Sequence, residues 1–155
     1  VSMGVNAQSL KIGHVDSGAI MEIMPERAKI EQDLQAYAAE LQSELQAMGA
    51  EYQSKLQDYQ ANQATMSNLI RQSKEKEIID LETRISEFQG SAEMAMQSKQ
   101  LELLNPLIEK VQNAVNAVGK EKGFAYILDK ATGTIVFIGD NAIDITADVK
   151  AKLGL

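Results

Sequence analysis

His14 is the single histidine of the 155-residue chain, and Asp16 follows it by two positions. Such a pair could exchange protons if both side chains faced one cleft. Its setting argues otherwise. His14 lies in LKIGHVD, residues 10–16, a short strand candidate whose apolar positions are Ile12 and Val15. We therefore read His14 as structural and Asp16 as a strand-end or cap residue. Cysteine is absent, which excludes a disulfide framework and a thiolate zinc site. The ten glycines are scattered, and no phosphate-binding GxxxxGK[ST], HExxH or EF-hand loop occurs. DKATGTIV carries too few carboxylates for a cation loop and reads as a turn, with Gly133 supplying a positive φ. The expectation is a protein that is not an enzyme and uses no cofactor or metal.

The chemistry that is present is that of adaptable apolar contact. Met48, Tyr52, Tyr59 and Met66 lie along or near one stripe, and Met94 and Met96 follow later. Methionine is flexible and polarisable and suits surfaces that accept many partners. A two-helix hairpin buries only one face of each helix, so members of the pairs Leu69/Ile70 and Ile78/Ile79 must stay exposed. Together these ten residues are the candidate contacts for a partner chain.

Long helices are needed to position them. From Pro25 to about residue 70, apolar residues recur at Ile30, Leu34, Tyr37, Leu41, Leu45, Met48, Tyr52, Leu56 and Tyr59. The steps of 4, 3 and 4 repeat every eleven residues, near the helical period. A second stripe runs through Ile78, Leu81, Ile85, Phe88, Ala92, Met96, Leu103, Leu107, Val111, Ala114 and Val118. Gly90 and Pro106 interrupt it and are expected to let the second helix bend. One continuous rod would strand the chain's two ends far apart, so a fold-back is expected near residues 66–73. The arm then spans 25–122, two antiparallel helices packed like a coiled coil.

KGFAYILDKATGTIVFIGD, residues 122–140, reads as a β-hairpin with strands at about 124–128 and 135–138. Both strands are apolar on both faces and must be covered on two sides. Ser17 is expected to cap a short helix ended by Pro25, and Thr146 a second one whose apolar face is Ala147, Val149 and Leu153. Residues 10–24 and 123–155 thus form a small β-rich body. It is too small to cover its own strands, which implies an oligomer centred on Ile12, Val15, Phe124, Tyr126, Leu128, Ile135 and Phe137.

The net charge is −7, which disfavours nucleic acid as a partner. Residues 26–70 hold three basic and seven acidic side chains; only RQSKEK, with Arg71, Lys74 and Lys76, is locally positive and could touch a membrane surface. Val5-Asn6-Ala7 before Gln8 fits the small-x-small rule of a signal-peptidase site. Residues 1–9 are accordingly expected to be a disordered tail or the remnant of an export signal or tag.

KIGHVDSGAIMEIMPE, KVQNAVNAVGKEKGFAYILDK and IDITADVKAKLG, in the order strand, short helix, helical hairpin, β-hairpin, short helix, resemble the Skp/OmpH family of periplasmic chaperones. The resemblance covers nearly the whole chain after Leu10. It implies a mostly α protein with a small β core: a homotrimer of jellyfish-like architecture, its three arms enclosing a cavity. It further implies an ATP-independent holdase, exported to the periplasm of a Gram-negative bacterium, that binds unfolded outer-membrane proteins and prevents their aggregation. The well-studied members are strongly basic, whereas this chain is acidic. The competing expectation is an architectural coiled-coil protein without clients, whose arms would be fully self-paired.

Overall fold

The computed structural model describes residues 10–155. The elements run β1 (Ile12–Val15), α1 (Ser17–Ile23), α2 (Glu26–Asn62), α3 (Asn68–Glu121), β2 (Tyr126–Asp129), a 3-10 turn (Lys130–Thr132), β3 (Ile143–Asp144) and α4 (Thr146–Leu153). The expected tail at residues 1–9 lies outside the described residues. Two compact units result. One, the body, holds the chain up to Ile30 together with Leu103–Leu155; the other, the arm, holds Glu31–Glu102.

The body is organised by a parallel sheet in the order β2-β1-β3. β1 pairs with β2 from Ile12↔Tyr126 to Val15↔Asp129, and with β3 through Gly13↔Ile143 and His14↔Asp144. This corrects the expected hairpin: residues 134–138 form no strand, and β2 pairs with β1 instead. Local chemistry explains the outcome. The Asp129 carboxylate accepts from the Ala131 N–H at 3.0 Å and caps the 3-10 turn, and Gly133 ends it at φ 68°. The chain therefore winds out of the sheet rather than doubling back into it. Parallel strands require a long crossover, and α1, α2 and α3 together supply it.

α3 delivers the core. Leu107, Val111, Ala114, Val115 and Val118 form one buried stripe against Val15, Ile20, Met24, Ile145 and Val149. Gly119 lets the helix approach the sheet: a Cβ there would stand 2.7 Å from the Ile127 Cδ1 atom. The caps differ from those the sequence suggested. Asp16, not Ser17, caps α1 by accepting from the Ala19 N–H at 2.9 Å. Ser17 donates its hydroxyl to Asp129. At α4 the Asp144 carboxylate accepts the Thr146 N–H at 2.8 Å, while the Thr146 hydroxyl accepts from the Asp16 N–H at 3.0 Å. One aspartate–threonine exchange thus ties the end of β1 to the start of α4.

The arm is an antiparallel helical hairpin. All nine apolar positions of the α2 stripe are buried or half-buried, as are Ile78, Leu81, Ile85, Phe88, Ala92 and Met96 of α3. The turn is residues 63–67, a few positions earlier than the sequence suggests. Asn62 closes α2 by bonding back to the Asp58 carbonyl and carboxylate, and the Ser67 hydroxyl accepts from the Ile70 N–H at 3.3 Å to start α3. With neither Gly nor Pro at the turn, these side-chain caps define it. α3 is helical through both Gly90 and Pro106.

Candidate functional site

Two surfaces carry apolar side chains out into solvent, one on each unit. On the body, the alternation along β1 and β2 turns Ile12, Tyr126 and Leu128 away from the core. The 134–139 segment lies beside them, and a shallow pocket is lined by Ile12, Leu128, Ile135, Phe137 and Ile143. Val136 and Phe137 are 99% and 84% exposed. β2 is an edge strand, with its outer backbone groups unpaired among the described residues. The seven residues expected to form an oligomer core therefore divide. Val15 and Phe124 belong to the chain's own core or pack against it, and Ile135 is half-buried. Ile12, Tyr126, Leu128 and Phe137 are open.

His14 is buried beneath this face, its Nε2 3.5 Å from an Asp144 carboxylate oxygen. Burial raises the pKa of Asp144, but the hydrogen bonds from Thr146 and the charges of His14 and Lys130 outweigh it and hold the carboxyl below its usual range. Asp16 is likewise lowered, first by the Ala19 N–H and then by Lys130 at 3.3 Å. His14 and Asp16 do not meet as a pair. The two hydroxyls nearby are held by structural partners, Thr146 by the Asp16 N–H and Ser17 by the Asp129 carboxylate.

On the arm, the candidate contact residues sort into two sets. Met48 is buried in the seam between the helices, and Tyr52, Tyr59, Met66, Ile78 and Met96 are half-buried. Leu69, Ile70, Ile79 and Met94 are exposed, and Leu101, which the sequence reading passed over, joins them at 60% exposure. At 100° per residue, Leu69, Ile79, Met94 and Leu101 fall within about 80° of one another on α3. Leu81 and Phe88, which mark the seam, lie on the far side of that helix. The exposed residues therefore make a sparse stripe with axial gaps of about 10–22 Å. Its signal in the sequence was a second, weaker periodicity hidden behind the seam pattern.

Near the turn, charges pair across the hairpin. Lys55 meets Glu77 at 2.9 Å, Lys74 meets Asp58 at 3.4 Å, and the Tyr59 hydroxyl donates to Glu75. Lys76 bonds Asp80 on its own helix at 2.5 Å. Lys74 and Lys76 of the basic tip are thus matched by carboxylates, and Arg71 is half-buried beside them. Among the described residues no acidic or histidine cluster suits a metal, and no helix is long and apolar enough to cross a membrane.

A family model described as "Outer membrane protein (OmpH-like)" matches residues 11–153. The chaperone protein Skp of Pectobacterium atrosepticum is 30% identical over 139 residues, covering 90% of this chain and 82% of that protein. The crystal structure of a putative outer membrane chaperone (OmpH-like) from Caulobacter crescentus superposes with a TM-score of 0.73 at 13% identity, over 98% of this chain and 89% of that one. That likeness spans the arm and the small sheet alike, and it shows the fold. With the family pattern running from β1 to the last turn of α4, the chain belongs to the OmpH-like outer membrane protein family.

Proposed function

We propose that this protein is an ATP-independent holdase of the Gram-negative periplasm that keeps unfolded outer-membrane proteins from aggregating. Membership of a family of non-enzymatic chaperones supports the reading. The observation that carries it is the stripe of Leu69, Ile79, Met94 and Leu101 on the α3 face turned from the seam. A purely architectural arm has no use for it, because apolar side chains exposed singly at such gaps cannot form a helix–helix interface. They can offer many weak contacts to a chain without structure, and multivalency makes the sum effective.

Self-association completes the proposal. The open face of Ile12, Tyr126, Leu128 and Phe137, beside the free edge of β2, is the surface on which copies of the chain would join, three by analogy with the family. Arms grouped around one body raise the local concentration of stripes around a client. The tip has little positive charge to offer a membrane, since carboxylates neutralise Lys74 and Lys76.

A holdase titration tests the function. A urea-unfolded outer-membrane β-barrel protein is diluted into buffer containing rising amounts of this chain and no nucleotide, and turbidity is followed. Protection saturating near three chains per client is the expected result. An absence of protection at large excess, with helicity intact by circular dichroism, would return the arm to an architectural role.

A further inference from the structure

Charge is divided between the two units as unevenly as it can be. Residues 31–102 hold thirteen acidic and six basic side chains, while the rest of the chain holds nine of each. The entire net charge of −7 therefore sits on the arm, and the body is neutral. Within the arm the basic residues gather near the turn, where Lys55, Lys74 and Lys76 are paired. The middle of the arm is left with little cation: residues 38–51 and 81–97 contain six acidic side chains and one basic, Arg84.

In that middle stretch the two helices part over an open groove of about 400 Å³. Its apolar walls are Leu41 and Leu45 of α2 and Phe88, Ala92 and Met96 of α3, and Glu93 stands on its rim. A second hollow shares Phe88 and is lined by Glu44, Glu87 and Arg84. Glu44, Glu87 and Glu93 have no ion-pair partner among the described residues. The groove is large enough for an aromatic or branched aliphatic side chain, and the charges at and beside it, Glu93, Glu44, Glu87 and Arg84, sum to −2. Apolar walls alone would accept any hydrophobic segment. The unpaired carboxylates add a long-range preference for one sign of charge, which fixes orientation and partner choice more than it adds affinity.

We infer that this groove is a docking site for an apolar side chain of an unfolded polypeptide carrying lysine or arginine next to it in sequence. The inference rests on the holdase reading and narrows its clients to those whose hydrophobic segments have basic flanks. An acidic flank would meet Glu44, Glu87 and Glu93 across a few ångströms and be repelled. The distance is within the screening length at ordinary ionic strength, so the preference weakens as salt is added.

The experiment uses the full chain and two fluorescein-labelled unfolded peptides of equal length and equal Phe and Leu content. One has Lys on either side of its apolar segment, the other Glu. Binding is read by anisotropy at low and high salt. The Lys-flanked peptide is expected to bind about tenfold tighter at low salt, with the difference shrinking at high salt. The triple substitution E44Q/E87Q/E93Q, which alters only exposed charge, is expected to erase most of that difference. Ala92→Leu, which fills the groove, is expected to weaken both peptides, with helicity checked by circular dichroism. Equal affinity for the two peptides, or discrimination that survives the triple substitution, would overturn the inference. Turbidity protection of an outer-membrane protein is measured alongside. Protection without discrimination sinks the groove proposal and leaves the holdase standing. Loss of protection together with peptide binding sinks both.

Discussion

Body and arm solve the problem of folding with different means. The body encloses a closed core, with Ile20, Ile145 and Val149 fully buried, and joins elements distant in sequence. The arm repeats one local rule, an apolar stripe on each of two helices, and fully buries only Met48 and Leu81 among its apolar side chains. The body balances its charges, whereas the arm concentrates acid. The contrast teaches that a closed core and an apolar, solvent-facing surface have been assigned to separate parts of one chain. The arm can present apolar residues because the body does not depend on them.

The sharpest way to break this contrast is to open a cavity in each unit. Ile145→Ala should cost the body about 3–4 kcal/mol by chemical denaturation, because a side chain with no exposure leaves a hole its neighbours cannot fill. A loss below about 1 kcal/mol would mean the body core carries far less than its burial implies. Leu81→Ala, at 2% exposure in the seam, should cost about 2 kcal/mol and act locally. Amide exchange should accelerate along the arm and stay slow in the body; equal acceleration in both would show that the two units unfold as one.

Smaller effects sharpen the comparison. Asp16→Ala removes the α1 cap and should cost about 1 kcal/mol. Acid probes the same aspartate. Asp16 and Asp144 both titrate below the ordinary carboxylate value of 3.8 when folded, so the unfolded chain takes up protons first as pH falls. Their contribution is complete at neutral pH and is lost as pH drops below about 4 toward their folded values. Chemical denaturation repeated across that acid range should show the wild type losing more stability than Asp16→Ala. Equal losses would remove Asp16 from the account. The smallest effect on folding is expected from replacing Leu69, Ile79, Met94 and Leu101 with Gln, within about 0.5 kcal/mol per site. Holdase capacity should nevertheless fall severalfold. Unchanged protection would show that the stripe is not the contact surface.

Much of the arm was legible in the sequence, because helix periodicity is a local signal and each stripe residue from Leu34 to Tyr59 is buried or half-buried, while Ile30 packs against the body core. The body was legible only in its parts. IGHV, YILD and the two short helices were visible, but their pairing was not. A run such as TIVFIGD announces β propensity without naming a partner, and YILD found one in β1, more than a hundred residues earlier. Capping was misread: Asp16 took the role assigned to Ser17, and Thr146 lies inside α4 behind Ile145, which makes no side-chain cap bond. Carboxylates also matched the lysines of the tip, which a count over RQSKEK could not reveal. The exposed stripe was seen in part, through Leu69, Ile79 and Met94.

The parallel pairing of β1 with β2 has a consequence for the order of events during folding. Ile12 waits for Tyr126, so β1, the earlier of the two strands in the chain, is among the last elements to find its neighbour. A pairing this distant in sequence would ordinarily be slow to close. The helical hairpin shortens the search. Once α2 and α3 zip from the turn near Ser67, Glu26 comes within reach of Lys110, and the two strands are delivered to one place. The arm then guides the closing of its own body. Loosening the turn caps at Asn62 and Ser67 should slow refolding more than it lowers equilibrium stability, with the delay visible as late amide-exchange protection of β1 and β2.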